Sequence, residues 1–142
     1  MTDIEDIIEN FEFLDDWEDR YRYVIELGRE LPEFPEFERT DANKVQGCVS
    51  QVWLVSKVEK DADGNTRLSY LGDSDAHIVR GLVAILLTLI SGKTVKEIHD
   101  LDIEATFGRI DLREHLTPQR SNGLTSMVER IRRDADAALA AA

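Results

Sequence analysis

The sequence predicts an α+β fold in which a small antiparallel sheet of about three strands packs against helices. Three observations carry this reading. Apolar residues recur at helical spacing at both ends of the chain, a β-rich alternating run with turn residues occupies the middle, and a nearly all-apolar stretch follows it. No repeat, low-complexity tract or Ser/Gly-rich linker breaks these patterns, so residues 1–142 are expected to form a single domain. Hydrophobic side chains make up 42% of the chain, enough for a core without disulfides or metals.

At the start, Thr2 and Glu5 match a capping box, and Ile4, Ile7, Ile8, Phe11 and Leu14 mark one buried helical face. A second helix begins near Asp15 or Asp16, whose carboxylates suit the positive end of the helix dipole. It runs through Trp17, Tyr21, Val24, Gly28 and Leu31 until Pro32. Glu18 and Arg22, four apart, form an exposed supporting pair. From Pro32 to Lys44 the periodicity stops, and prolines with scattered charges mark an extended surface connection.

Val52, Leu54 and Val58 then alternate with Trp53, Val55 and Lys57 in a strand that ends at the turn residues Asp61, Asp63, Gly64 and Asn65. Thr66 to Leu71 returns as its hairpin partner. Two strands alone are marginally stable, so a third is expected around Asn43 to Val45. Trp53, a strand aromatic, is expected to pack in the core. Asp73 or Ser74 is placed to cap a central helix whose apolar residues, Ile78 to Ile90, cover most of its circumference. Gly92 suits that helix's C-terminal cap, Thr94 and Glu97 form another capping box, and a short helix spans Ile103 to Phe107. The last helix starts at Thr117-Pro118 and turns Leu124, Met127, Val128 and Ile131 inward.

Acidic side chains outnumber basic ones by 29 to 17, a formal net charge of −12, which argues against a phosphate-backbone ligand: nucleic-acid binding uses Lys and Arg to displace counterions. The one basic cluster, Arg130, Arg132 and Arg133, is offset by Glu129, Asp134 and Asp136. The N-terminus has neither a positive segment nor an apolar one, so no signal or transit peptide is expected. The longest apolar stretch, Leu82 to Ile90, is interrupted by Thr88 and falls short of the ~18–20 residues that span a bilayer. The expectation is a soluble cytoplasmic protein. A single cysteine, Cys48, fits a reducing compartment.

Cys48 follows Gly47 in a turn immediately before a strand that must be anchored in the core. A thiol there is held at the end of something rigid, whereas a packing cysteine would sit within the strand. One cysteine and three distant histidines supply neither the thiolates of an iron–sulfur cluster nor the ligands of a structural zinc. Two chemistries remain for a reactive thiol, beside a non-catalytic binding module in which the thiol only packs. A cysteine hydrolase or thiol peroxidase would pair Cys48 with His77, the histidine in the first turn of the central helix. Carriage of sulfur as a persulfide needs no base-and-orienter set, only a thiolate, access and a protected niche. That niche would raise the thiol pKa by desolvation, and a nearby helix N-terminus would lower it.

Several motifs, in order along nearly the whole chain, resemble the SufE-type sulfur-acceptor proteins, also described as cysteine desulfuration proteins. They are Asp16-Trp17-Glu18 with Arg20-Tyr21, Glu26-Leu27-Gly28 with Leu31-Pro32, and Val45-Gln46-Gly47-Cys48 with Ser50-Gln51-Val52-Trp53. Gly72-Asp73-Ser74-Asp75-Ala76 with Ile78-Val79-Arg80-Gly81-Leu82, and Leu116-Thr117-Pro118 with Arg120 and Gly123-Leu124, complete the set. One departure is Val49, where the family usually has glutamine.

The resemblance implies a fold shared with IscU-type scaffolds. It implies that Cys48 accepts persulfide sulfur from a pyridoxal-phosphate cysteine desulfurase, stimulates that enzyme, and relays the sulfur to an iron–sulfur cluster scaffold. The chain would then be a covalent carrier and activator rather than an independent enzyme, with no pyridoxal phosphate or metal of its own. It further implies that the cysteine loop, Gly47 and Ser50 included, rests over an apolar pocket and swings out to its partner. Asp75 would help hold the resting state, and Arg120 would contact the partner or anchor the loop. Read without the resemblance, Asp75 simply favours a helix N-terminus and Arg120 is a surface ion-pair residue. The resemblance also allows a homodimer.

Overall fold

The structure, a computed structural model, describes residues 3–141. Helix α1 (Ile4–Phe13) opens on a capping box made by Asp3 and Asp6, whose side chains each accept from the other's backbone N–H. The box expected from Thr2 rests on a residue outside the described range. Helix α2 (Trp17–Arg29) begins as anticipated at Asp16, which accepts from the N–H groups of Glu18 and Asp19, and the Glu18–Arg22 pair forms at 3.0 Å.

Strands β1 (Val52–Lys60) and β2 (Thr66–Ser74) form a two-stranded antiparallel hairpin, with Val52 opposite Ser74 and Lys60 opposite Thr66. The expected third strand is a correction: only one bridge forms, Lys44 with Trp53. Val45 N donates to Val52 O at 2.8 Å and Leu54 N to Asn43 O at 2.9 Å. The pairing goes no further because Asp41–Asn43 is a turn, fixed by the Asn43 amide donating to the Glu38 carbonyl.

The central helix α3 (His77–Ile90) is the core's axis. Its buried residues include Val79, Leu82, Val83, Ile85, Leu86 and Leu89, and α1, α2, the sheet and a later helix pack around it. α2 and α3 approach at two glycines: a Cβ on Gly28 would stand 2.7 Å from Gly81 N, closer than real Cβ contacts allow. The expected side-chain cap from Asp73 or Ser74 is also corrected. β2 runs on through both residues, the N-cap is Ala76, and the Ser74 hydroxyl accepts from Ala76 N at 3.2 Å.

Gly92 follows α3 at φ +75°, and the Thr94–Glu97 capping box starts α4 (Val95–Asp100). Helix α5 (Ile103–Arg109) runs two residues past its expected end. Helix α6 (Pro118–Ala141) starts on its proline and buries Leu124, Met127, Val128 and Ile131 as its periodicity requires. Among the described residues, no helix is long and apolar enough to cross a membrane.

Candidate functional site

The hydrogen bond from Val45 N to Val52 O, next to the Lys44–Trp53 bridge, closes the base of a loop, residues 46–51, that carries the cysteine. Gly47 sits at φ +90°, where a side chain is strained, and a Cβ there would meet the Ser126 hydroxyl at 2.5 Å. At its far end the loop is clamped to the start of α3. The Asp75 carboxylate accepts from Gln51 N at 3.0 Å, Asp75 N donates to Gln51 O, and the Ser74 hydroxyl donates to the same carbonyl at 2.7 Å.

Held this way, Cys48 turns inward and is half-buried against α6, its S–H donating to the Gly123 carbonyl at 3.5 Å. Gly123 is in van der Waals contact with the cysteine, with its Cβ position 3.5 Å from Sγ. Beside the thiol lies a pocket of about 220 Å³. Val79, Leu82 and Met127 give it apolar walls, while Ser50, Thr117, Gln119 and the exposed Arg120 supply its polar lining. Val49, 75% exposed, lines it too and offers an apolar side chain to solvent.

Burial pushes the Cys48 thiol above its ordinary value. Donation to a carbonyl acts in the same direction, because a carbonyl accepts from the thiol and offers nothing to the thiolate. Both effects favour the protonated, less nucleophilic form of the resting sulfur.

The histidines stand apart from this sulfur. His77 is exposed at the first residue of α3; it does not line the pocket and makes no hydrogen bond to Cys48 among the described residues. His99 pairs with Asp136 at 2.6 Å, and His115 stacks on Trp17 with ring centres 3.7 Å apart. Among the described residues, no group of His, Cys, Asp and Glu is placed to hold a metal ion.

Sequence reasoning brought Cys48, Gly47, Ser50, Asp75 and Arg120 to the cysteine loop or its pocket. It missed a support behind them. Asp73, buried at the end of β2, takes Arg39 at 2.6 Å on one oxygen and has Arg80 Nε 2.9 Å from the other, the latter an ion pair whose angle falls short of a hydrogen bond. The Arg39 guanidinium also covers the rings of Trp53 at 4.9 Å and Phe34 at 5.4 Å. Trp53 is thus a half-buried residue under a cation rather than a core residue, because its neighbours Val52 and Leu54 take the inward side of the pleat. The sole hint in sequence was an acid inside the Gly72-to-Ala76 motif; of the floor residues, Gly123 stood in the Gly123-Leu124 motif and Met127 carried a helical-period signal alone.

The description "SufE: Fe-S metabolism associated domain" matches residues 5–135. The chain belongs to the SufE family. It is 57% identical over 141 residues to a SufE-like protein of Rhizobium meliloti, covering 99% of this chain and 100% of that one. A SufE-like protein of Rhizobium etli is 58% identical over 141 residues, covering 99% and 95%. The solution structure of a hypothetical protein from Thermus thermophilus superposes with a TM-score of 0.74 at 19% identity, covering 96% of each chain, and shows the same fold. SufE membership associates the chain with Fe–S metabolism and supports a sulfur-transfer role there.

Proposed function

We propose that Cys48 is a covalent sulfur carrier that takes sulfur from a pyridoxal-phosphate cysteine desulfurase and delivers it to an iron–sulfur cluster scaffold. The observation that carries this reading is a solitary thiol on a loop tied at both ends, folded against an apolar pocket with no imidazole at hydrogen-bond distance. Such a thiol lacks the base that a hydrolase needs, and it has the shelter that a persulfide needs.

In the transfer, the Cys48 thiolate attacks the terminal sulfur of a persulfide on the desulfurase. A new S–S bond forms to Cys48, the donor's S–S bond breaks, and the donor cysteine leaves as thiolate. Removing that product stimulates the desulfurase. Relay repeats the step, with an acceptor thiolate attacking the outer sulfur and Cys48 leaving. Asp75 holds the resting loop through Gln51, Gly47 supplies the backbone freedom at its hinge, and Ser50 lines the path. Arg120, a cation on the pocket wall, faces either the persulfide anion or the partner. His77, exposed beside the loop's anchor, is left as a partner contact. The whole chain, 1–142, acts as one domain in the cytoplasm, where a free thiol stays reduced, and it binds no cofactor itself.

The test is intact-mass measurement after incubation with a cysteine desulfurase and cysteine. One added sulfur, a gain of about 32 Da that reductant removes, is expected on the native chain and absent from Cys48→Ser. The serine variant is also expected to fold normally and to lose all stimulation of sulfide release. A native chain that gains no mass, or a serine variant that stimulates as well as the native one, would end the carrier reading.

A further inference from the structure

Charge is divided unevenly along the chain. Residues 1–41 hold 15 of the 29 acidic side chains and 4 of the 17 basic ones, so −11 of the net charge of −12 sits in that span. The span comprises α1, α2 and most of the segment that joins them to the cysteine loop. Burial raises the pKa of the Tyr23 hydroxyl, the Asn10 amide opposes the rise, and the carboxylates of Glu30, Asp6 and Glu26 add to it. Acids of both helices thus converge on one face.

Beside this face the fold leaves apolar surface uncovered. A groove of about 650 Å³ lies between α1, the end of α2 and the second half of α3, against about 220 Å³ for the pocket beside Cys48. Buried Ile7, Leu27 and Ala84 form its floor, and half-buried Leu31 and Leu87 its sides. Asp3 and Glu30, both exposed, stand at its rim. Glu5, Glu18, Asp19 and Glu36 are taken up in ion pairs, whereas among the described residues Glu30 has none. The groove is separate from the sulfur site. The Cys48 pocket takes Val79 and Leu82 from α3; the groove takes Ala84 and Leu87, each five residues later and so turned by about 140° round the helix.

We infer that this groove docks an amphipathic helix of a partner protein, with the helix's apolar stripe on the groove floor and lysine or arginine on its flanks. Uncovered apolar surface rimmed by polar groups marks an interaction site. Charge selects the occupant: a span at −11 repels nucleic acid, an anionic lipid surface and another acidic segment, and it attracts and steers a cationic one. The walls select its form. They are mostly helices whose backbone groups are paired internally, so the groove offers side chains rather than a strand edge, the setting in which a helix is read by its i, i+3, i+4 and i+7 positions. A helix seated there leaves Cys48 free, and the surface stands whether or not that thiol carries sulfur.

Fluorescence anisotropy of a labelled synthetic leucine–lysine helix, titrated with the full chain at physiological salt, tests the surface. Saturable binding is expected. It is lost when the peptide's leucines are exchanged for glutamine at unchanged charge, and lost when its lysines are exchanged for glutamate. Glu30→Lys is expected to weaken it by about fivefold or more. Glu12→Lys, the same change of charge at an exposed position outside the groove, is expected to weaken it by less than about twofold. Leu31→Ser is expected to weaken it by about tenfold. Backbone amide shifts in NMR spectra on adding the peptide are expected at Ile7, Leu27, Leu31, Tyr70 and Leu87, and not in residues 46–51. All variants are expected to keep native circular dichroism and to gain sulfur at Cys48 as the native chain does, so the groove and the carrier role are judged separately. No binding, a glutamine peptide that binds as well, equal losses in Glu30→Lys and Glu12→Lys, or shifts centred on another face overturns the inference. Groove amides that shift with the concentration of the chain alone would give the groove to a second copy and overturn it too. Should Leu31→Ser unfold, Glu30→Lys and the amide shifts decide.

Discussion

Cys48 rests in the form least able to react. Burial and a carbonyl acceptor both favour its proton, so the folded chain holds that proton more tightly than the unfolded chain. By linkage, the site's contribution to stability is constant below the ordinary thiol range of about 8.5 and declines as pH rises past it, where the unfolded chain ionises first. The native thiol is expected to react slowly with iodoacetamide at neutral pH, its rate rising only above that range. Asp75→Ala frees Gln51 N–H and is expected to speed labelling several-fold at pH 7 with the circular dichroism unchanged. Equal rates in the two proteins would show that this carboxylate does not hold the loop. At this scale the sequence announced the thiol and its glycine, since both stand beside a strand onset. It gave no sign that Gly123, which stood there only as part of a motif, reaches the sulfur across 75 residues of chain; contacts of that separation leave no local pattern.

Element by element, the helices were legible because caps and the 3.6-residue period are local properties, and Asp16, Thr94 and Pro118 each start a helix where expected. The sheet was less so. The segment before Cys48 has strand-like composition, yet Asn43 is used by a turn and the strand shrinks to one bridge. What stands in for the missing strand is Arg39, which ties the connecting segment to Asp73 and covers Trp53. Its charge looked like one of many scattered on a surface loop. Arg39→Ala is expected to cost about 1–3 kcal/mol, read as a lowered denaturant midpoint. It is also expected to raise Trp53 fluorescence quenching by acrylamide, since the ring loses its cover. An unchanged midpoint and quenching would remove Arg39 from the support of the loop.

For the molecule as a whole, charge dominates. Twenty-nine acidic groups against seventeen basic ones give self-repulsion in the compact state. Salt is expected to stabilise the fold: between about 0.01 and 0.15 M the Debye length falls from about 30 to about 8 Å, and the thermal midpoint should rise across that interval. A midpoint that falls would mean that attractive ion pairs, such as Arg109 with Glu5 at 3.0 Å, outweigh the repulsion. This expectation follows from composition alone.

The hydrogen bond between Val45 and Val52 sets a limit on travel. A flap of residues 46–51, leashed at both ends, can raise its apex by about 10 Å even when drawn taut, at roughly 3.4 Å for each residue of a half-span. On the carrier role proposed for it, cargo on Cys48 would therefore never cross open water on a long arm. Giver and receiver must each press up to the mouth of the flap in turn, and the handover is a meeting of surfaces rather than a journey.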